Sequence, residues 1–139
     1  MSVLLFLLLN SMYSSSQEVG FEEKLGNSIP ADVYLADENG KDVRLGDYID
    51  RPVVLNFVFF GCHGICDTLM ASVASLLDKM ELTPGKDFRV LTISFDEKDN
   101  PSHAKEKKTL FSGTMKKKID EDGWKFLTGN PESIKTITQ

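Results

Sequence analysis

Both cysteines of the chain lie in one five-residue segment, as Cys62 and Cys66. Residues four apart on a helix share a face, and their Cα atoms lie about 6 Å apart. That separation suits a disulfide, and it also allows two thiolates to bind one soft ion such as Cu(I). The spacing therefore predicts either a dithiol switch or a copper-binding pair, rather than two passive buried side chains.

The elements around the cysteines favour a reactive position. Residues 53–60 are mostly β-branched or aromatic and stand between Pro52 and Gly61, which predicts a strand buried on both faces and covered by helices. Open α/β sheets place their ligands at the carboxyl ends of such strands. The cysteines then lie at the end of this strand and the start of a helix, whose N-terminus stabilises a thiolate. We therefore expect Cys62 to be the more acidic thiol.

The chain has two histidines, and each is a candidate metal ligand. His63 lies between the cysteines, where it could stabilise a thiolate, supply a third donor or be only a loop residue. His103 follows a polar loop predicted near the same sheet edge, where a solvated residue in the first turn of a helix is the simpler interpretation. Zinc is disfavoured, because a structural zinc site uses four ligands and the chain offers two thiolates and two candidate imidazoles.

An alternation of strands and helices is predicted around this site. Apolar periodicity predicts a helix over 67–80 and a strand over 88–95, which together with the first strand form a parallel βαβ unit. Asn100 before Pro101 predicts the cap of a Lys-rich helix that runs to about Ile119 with its lysines in water. The other predicted elements are a hairpin over 31–44, a strand over 124–128 and a helix over 132–138.

Length and charge limit the classes of function. A chain of 139 residues with 41% hydrophobic content buries one core, which we place in residues 25–139. The net charge of -5 argues against nucleic acid or an anionic membrane surface as a partner. Residues 1–24 are predicted to be a signal-like segment and linker, because an apolar run over 3–9 precedes small polar residues. We therefore expect an exported chain, although that run is too short to span a bilayer.

Four stretches, in this order, carry a resemblance to a known family. They are residues 55–66 with the segment Gly61-Cys62-His63-Gly64-Ile65-Cys66, residues 82–88 (Leu-Thr-Pro-Gly-Lys-Asp-Phe), residues 94–96 (Ser-Phe-Asp) and residues 123–129 (Gly-Trp-Lys-Phe-Leu-Thr-Gly). Together they resemble the Sco family, the copper-handling thioredoxin-like proteins of cytochrome c oxidase assembly. The likeness runs from about Gly26 to the C-terminus, with Cys62 and Cys66 at the cysteines of the family's Cys-Pro-x-x-Cys segment.

The resemblance implies an α/β, thioredoxin-like fold with a central sheet and flanking helices. It implies that Cys62 and Cys66 bind copper together with one distant histidine. The implied partners are the cytochrome c oxidase subunit that carries the binuclear copper site and a copper donor or thiol reductant. The implied location is the periplasm, or the periplasmic face of the inner membrane with an anchor upstream of Met1.

The chain departs from the family pattern in two ways. His63 stands where the family usually has proline, which removes a rigid ring and adds a titratable group beside Cys62. The sequence also ends at Gln139, before the segment in which such proteins place the histidine ligand and the last strands. We therefore expect the domain over 25–139 to lack its C-terminal strands, with the third copper ligand unassigned.

The sequence is compatible with three functions. A copper metallochaperone uses the two thiolates to select Cu(I) and the exposed helix start to exchange it. A thiol-disulfide oxidoreductase acting on the cysteines of a partner protein would use the same pair as a redox pair. A peroxidase is less well supported, because such a site usually depends on one activated cysteine.

Overall fold

The structure is a computed structural model that describes residues 25–139, so the predicted signal-like segment lies outside the described residues. In chain order the elements are β1 (Tyr34–Ala36), β2 (Asp42–Arg44), a short 3-10 helix (Leu45–Tyr48), β3 (Val53–Val58), α1 (Ile65–Lys79), β4 (Arg89–Ser94), α2 (Pro101–Gly113), β5 (Trp124–Leu127) and α3 (Pro131–Thr138). This alternation confirms the predicted α/β class. No helix within 25–139 is long and apolar enough to cross a membrane.

A parallel sheet in the order β3-β4-β5 forms the centre of the fold. Val53 lies opposite Arg89, and Val58 lies opposite Ser94, so β3 and β4 end at the same level. The Phe95 N–H then donates to the Val58 carbonyl at 2.9 Å, which holds the two chain exits side by side. The predicted βαβ unit is confirmed, and its two loops meet at one edge of the sheet.

The sheet separates two clusters of buried apolar side chains. Trp124 and Phe126 of β5 pack with α1 and α2, while Leu127 packs on the opposite side with Ile134 of α3 and with the segment around the β1–β2 hairpin. This alternation follows from the two-residue period of a strand. Both faces of β4 and β5 are therefore covered, as expected for parallel strands.

Strand β3 is not buried on both faces, and that prediction is wrong. β3 lies at the edge of the sheet, and Val54 in it is 50% exposed. The side-chain amide of Asn56 is buried and has no hydrogen-bond partner among the described residues. The sequence pattern reported the apolar character of the strand correctly, but this character does not reveal how many neighbours a strand has.

Helix α2 begins where it was predicted and ends earlier. The Asn100 side chain accepts from the Ser102 N–H at 2.9 Å, which confirms the predicted cap. The helix ends at Gly113 rather than near Ile119. The expectation that all its lysines face water is also wrong, because Lys107 is 4% exposed and its amine lies 2.5 Å from an Asp67 carboxylate oxygen.

A buried group of charges joins the hairpin to the sheet and to α2. Glu38 accepts from Lys125 at 3.0 Å and also from Lys108, and Asp37 lies 3.4 Å from the Lys125 amine. Burial acts to raise the pKa of Glu38, but the hydrogen bonds from Lys108 and Lys125 outweigh it and hold that pKa below its ordinary value of 4.5. Glu38 is therefore charged when the protein is folded at neutral pH.

Replacing Glu38→Gln should lower the free energy of unfolding by about 3–5 kcal/mol near pH 7, because Lys125 keeps its buried charge and loses its main partner. A folded-state pKa below the unfolded value stabilises the protein above the unfolded value, and this contribution disappears as the pH falls through the folded value. Urea denaturation should therefore show a difference that shrinks below about pH 4.5. Glu121→Gln, at an exposed position, is the matched control and should change stability by less than about 0.5 kcal/mol. An equal effect of both variants would contradict this role.

Candidate functional site

The two cysteines lie on either side of a helix start. Cys62 belongs to the turn between β3 and α1, where its N–H donates to the Phe59 carbonyl at 3.1 Å. Gly64 is the N-cap of α1, and Cys66 lies in its first turn. The assumption that both cysteines share one helical face is therefore wrong, because the helix begins after Cys62. Their predicted location, at the end of the strand and the start of the helix, is correct.

The two thiols nevertheless interact and differ in acidity. The pKa of the Cys62 thiol is lowered by hydrogen bonds from the backbone N–H groups of Cys66 and Gly64 and from the Cys66 thiol. Burial raises the pKa of the Cys66 thiol. Cys62 is thus the thiol that ionises first, in the order that the sequence predicted.

Asp99 connects the cysteine loop to the neighbouring strand and helix. Its side chain is 4% exposed, and Oδ2 accepts from the Phe60 N–H at 2.8 Å and from the Ser94 hydroxyl at 2.6 Å. Its Oδ1 lies 2.9 Å from His103 Nδ1. One carboxylate therefore connects the chain after β3, the end of β4 and the first turn of α2. Its contact after β3 is at Phe60, two residues before Cys62.

Sequence analysis did not identify Asp99, although a signal was present. Asp99 belongs to the polar loop over 96–101 that was predicted to approach the cysteine loop. It also precedes His103 by four residues, the spacing at which a loop residue before an N-cap reaches the first helical turn. The buried pair of Lys107 with Asp67, the residue after Cys66, was likewise missed, because a lysine on a helix is usually solvated.

The candidate histidines lie apart from the thiol pair. His63 is in the turn beside Cys62, with its side chain 81% exposed, and His103 is in the first turn of α2 with 48% exposed. Both rings line one cavity of about 190 Å³, and neither cysteine lines it. Within residues 25–139 there is no group of three or more histidine, cysteine or acidic side chains placed to hold a metal ion. The structure thus brings together two pairs, one of thiols and one of imidazoles.

Asp99→Ala should lower the free energy of unfolding by about 2–4 kcal/mol, because it leaves the buried Phe60 N–H and the Ser94 hydroxyl without their acceptor. Hydrogen exchange should show the Phe60 amide protected in the parent chain and unprotected in the variant. Asp99→Asn should be milder, since one amide oxygen can still accept both bonds. Asp96→Ala in the same loop is the control, because the Asp96 side chain accepts from the Lys98 N–H and, among the described residues, from no part of the cysteine loop. Unchanged protection of Phe60 in Asp99→Ala would contradict the bridge.

Comparison with known proteins places this geometry in a family. The SCO1/SenC family profile matches residues 22–139. Among curated protein sequences, none matches the chain.

Three solved structures illustrate the likeness. An electron transfer protein candidate from Aquifex aeolicus VF5 is 28% identical with a TM-score of 0.68, and the match covers 81% of this chain and 69% of that one. Arabidopsis thaliana ScoI, solved with copper bound, is 26% identical with a TM-score of 0.63 and coverage of 80% and 64%. A SCO1/SenC family lipoprotein from Bacillus anthracis str. Ames is 25% identical with a TM-score of 0.60 and coverage of 76% and 60%.

The chain therefore spans about two thirds of the length of these relatives. The arrangement of its sheet and helices agrees with theirs, which confirms the thioredoxin-like fold predicted from the sequence. The profile match extends over most of the chain and includes the cysteine loop, the polar loop and the third parallel strand. This chain is a member of the SCO1/SenC family.

Proposed function

We propose that the chain is a copper metallochaperone that binds Cu(I) through Cys62 and Cys66 and assists assembly of the copper site of cytochrome c oxidase. The observation that carries this proposal is the position of the two thiols at the end of β3 and the start of α1, where they interact and the thiolate of Cys62 is favoured. The related Arabidopsis thaliana ScoI has been solved with copper bound, which supports the choice of metal.

The donor set fits this ion. Thiolates are soft ligands, and they favour Cu(I) over the hard cations that prefer oxygen. Both cysteines are half-buried; Cys66 is anchored in the first turn of α1 and Cys62 lies in the turn before it, so neither ligand is fully enclosed. A copper ion supplied as cargo needs such an accessible side, because a partner's ligand must reach it for exchange. The remote histidine of the family is not assigned to any residue of this chain.

The partners and location follow from the same proposal. The receiving partner would be the oxidase subunit with the binuclear copper site, and a copper donor or thiol reductant would act before it. An exported chain at the periplasmic face of the inner membrane suits this role, and a relative from Bacillus anthracis carries the description lipoprotein. The acidic net charge of -5 is consistent with a protein partner rather than nucleic acid.

Cys62→Ser and Cys66→Ser should each weaken Cu(I) binding by more than about a hundredfold, since removing a ligand costs more than removing a group that only orients one. Anaerobic competition with a chromophoric Cu(I) chelator, with copper counted per chain, measures this loss. Thr68→Ala is the matched control in the first turns of α1, because its hydroxyl only bonds to the Gly64 carbonyl. The thiol pair is not the copper site if either serine variant keeps the parent affinity.

A thiol-disulfide oxidoreductase is the second candidate function, and the difference in acidity between the two thiols favours it. Exchange begins with attack by a thiolate, and the more acidic thiol is the one that reacts first with a partner. Cys62 has this position, and Cys66 is placed to displace the partner by forming an intramolecular disulfide. This reaction needs an oxidised partner protein as the electron acceptor.

Alkylation of the reduced chain should modify Cys62 before Cys66 near neutral pH, because the pKa of Cys62 is lowered from 9.0 and that of Cys66 is raised. The rate at Cys62 should rise with pH and level off at high pH. The midpoint of this rise is the pKa of Cys62, which lies below 9.0. Cys66→Ala should move this midpoint upward, because it removes the thiol that donates to Cys62. Mass spectrometry of peptides after timed quenching gives both rates. Equal rates for the two cysteines would exclude this assignment of the attacking thiol.

A further inference from the structure

One cavity is lined by both histidines and by neither cysteine. Its other lining residues are Phe60, Gly61, Glu106 and Lys107, and its volume is about 190 Å³. The volume share of a liquid water molecule is about 30 Å³, so the space admits a divalent ion with several waters. His63 comes from the β3–α1 turn and His103 from α2, and the fold therefore brings together two imidazoles that are 40 residues apart.

In each of the two histidines, Nδ1 faces a carboxylate of its own. His103 Nδ1 lies 2.9 Å from Asp99 Oδ1, and His63 Nδ1 lies 3.4 Å from Asp67 Oδ2. A carboxylate only accepts hydrogen bonds, so it favours the tautomer with hydrogen on Nδ1 and leaves Nε2 free as a ligand. Histidines that bind metal typically have such a carboxylate partner, which fixes the tautomer and raises ligand basicity.

The charges around the cavity also favour a cation. Glu106 and Lys107 line the cavity, and Asp67 and Asp99 adjoin it through their contacts with the two histidines. The Lys107 ammonium is bound to Asp67 Oδ1 at 2.5 Å, so these two charges compensate each other and the carboxylates of Asp99 and Glu106 remain. The balance of these groups is negative, as a site for a divalent ion requires.

We propose that His63 and His103 together form a second metal site, separate from the cysteines, that binds a divalent imidazole-preferring ion, with Cu(II) bound most tightly. Imidazole nitrogen suits Cu(II), Ni(II) and Zn(II), and Cu(II) binds most strongly of the three in the general order of divalent ions. Two protein ligands leave the remaining positions to water, so the ion is exchangeable. The site does not depend on the thiols, and it goes beyond the copper function proposed for them.

The test uses the full chain without an affinity tag and with Cys62→Ser and Cys66→Ser combined, so that no thiol takes part. One equivalent of Cu(II) should give an electron spin-echo spectrum with two coordinated imidazoles per ion. The sequence contains only these two histidines, so both imidazoles must be theirs. A spectrum with one imidazole or none would overturn the proposal, and so would a two-imidazole signal that vanishes on dilution of the protein, since that signal would join two chains.

Matched substitutions separate binding from folding. In His63→Asn and His103→Asn the amide nitrogen can replace Nδ1 as donor to Asp67 or Asp99, while the nitrogen at Nε2 is lost. Each should lower Cu(II) affinity on the order of a hundredfold, the upper end of what loss of a merely orienting group produces. The circular dichroism spectrum and the melting temperature should remain those of the thiol-free parent. Undiminished affinity in either variant would overturn the pair. Because no cysteine is present, failure here leaves the Cu(I) proposal standing, and failure of Cu(I) binding leaves this one standing.

Discussion

The carboxylate of Asp99 is the contact on which the arrangement of both pairs depends. Parallel strands end in loops that have no strand neighbour, so something other than sheet hydrogen bonds must fix them. Asp99 does this by accepting from the Phe60 N–H at the exit of β3 and from Ser94 at the end of β4, and its other oxygen meets His103. Hydrogen bonds from these partners offset the free-energy cost of burying the carboxylate, whereas a buried carboxylate without them would destabilise the folded protein. The cysteine loop and the start of α2 are therefore held by one side chain.

A second buried carboxylate, that of Glu38, connects elements in the same way at the β5 edge of the sheet. Glu38 extends from the β1–β2 hairpin and binds Lys125 of β5 and Lys108 of α2. It therefore connects the hairpin to the sheet and to α2 by directional contacts, which apolar packing does not provide. Buried ion pairs add less to stability than their distances suggest, because desolvation offsets most of the attraction. Their geometry is directional, however, and it fixes how the hairpin and α2 sit relative to β5. In this domain, buried charges fix how the elements are positioned relative to one another, and apolar side chains fill the core.

Much of the fold was predictable because it follows from local patterns. The hairpin over 31–44, the cap at Asn100 and the apolar strand before Cys62 each depend on a few neighbouring residues, and the structure has all three. The errors concern distant partners. Nothing near Lys107 in the sequence reveals that Asp67 lies across from it, and nothing in β3 reveals that it is an edge strand. The thiol pair was visible as a spacing, whereas the shared cavity of His63 and His103 depends on how the β3–α1 turn packs against α2.

Position 63, where the family resemblance implies proline, is histidine, and polar contacts hold the cysteine loop. Proline would fix its own φ and restrict the preceding residue, which is Cys62. Without that ring, the turn is held by the Cys62 N–H to the Phe59 carbonyl, by the Phe60 N–H to Asp99 and by donors to the Cys62 thiol. The last of these contacts strengthen when the thiol ionises, because hydrogen bonds to a charged acceptor are the stronger ones. The order of the loop is thereby linked to the charge of Cys62.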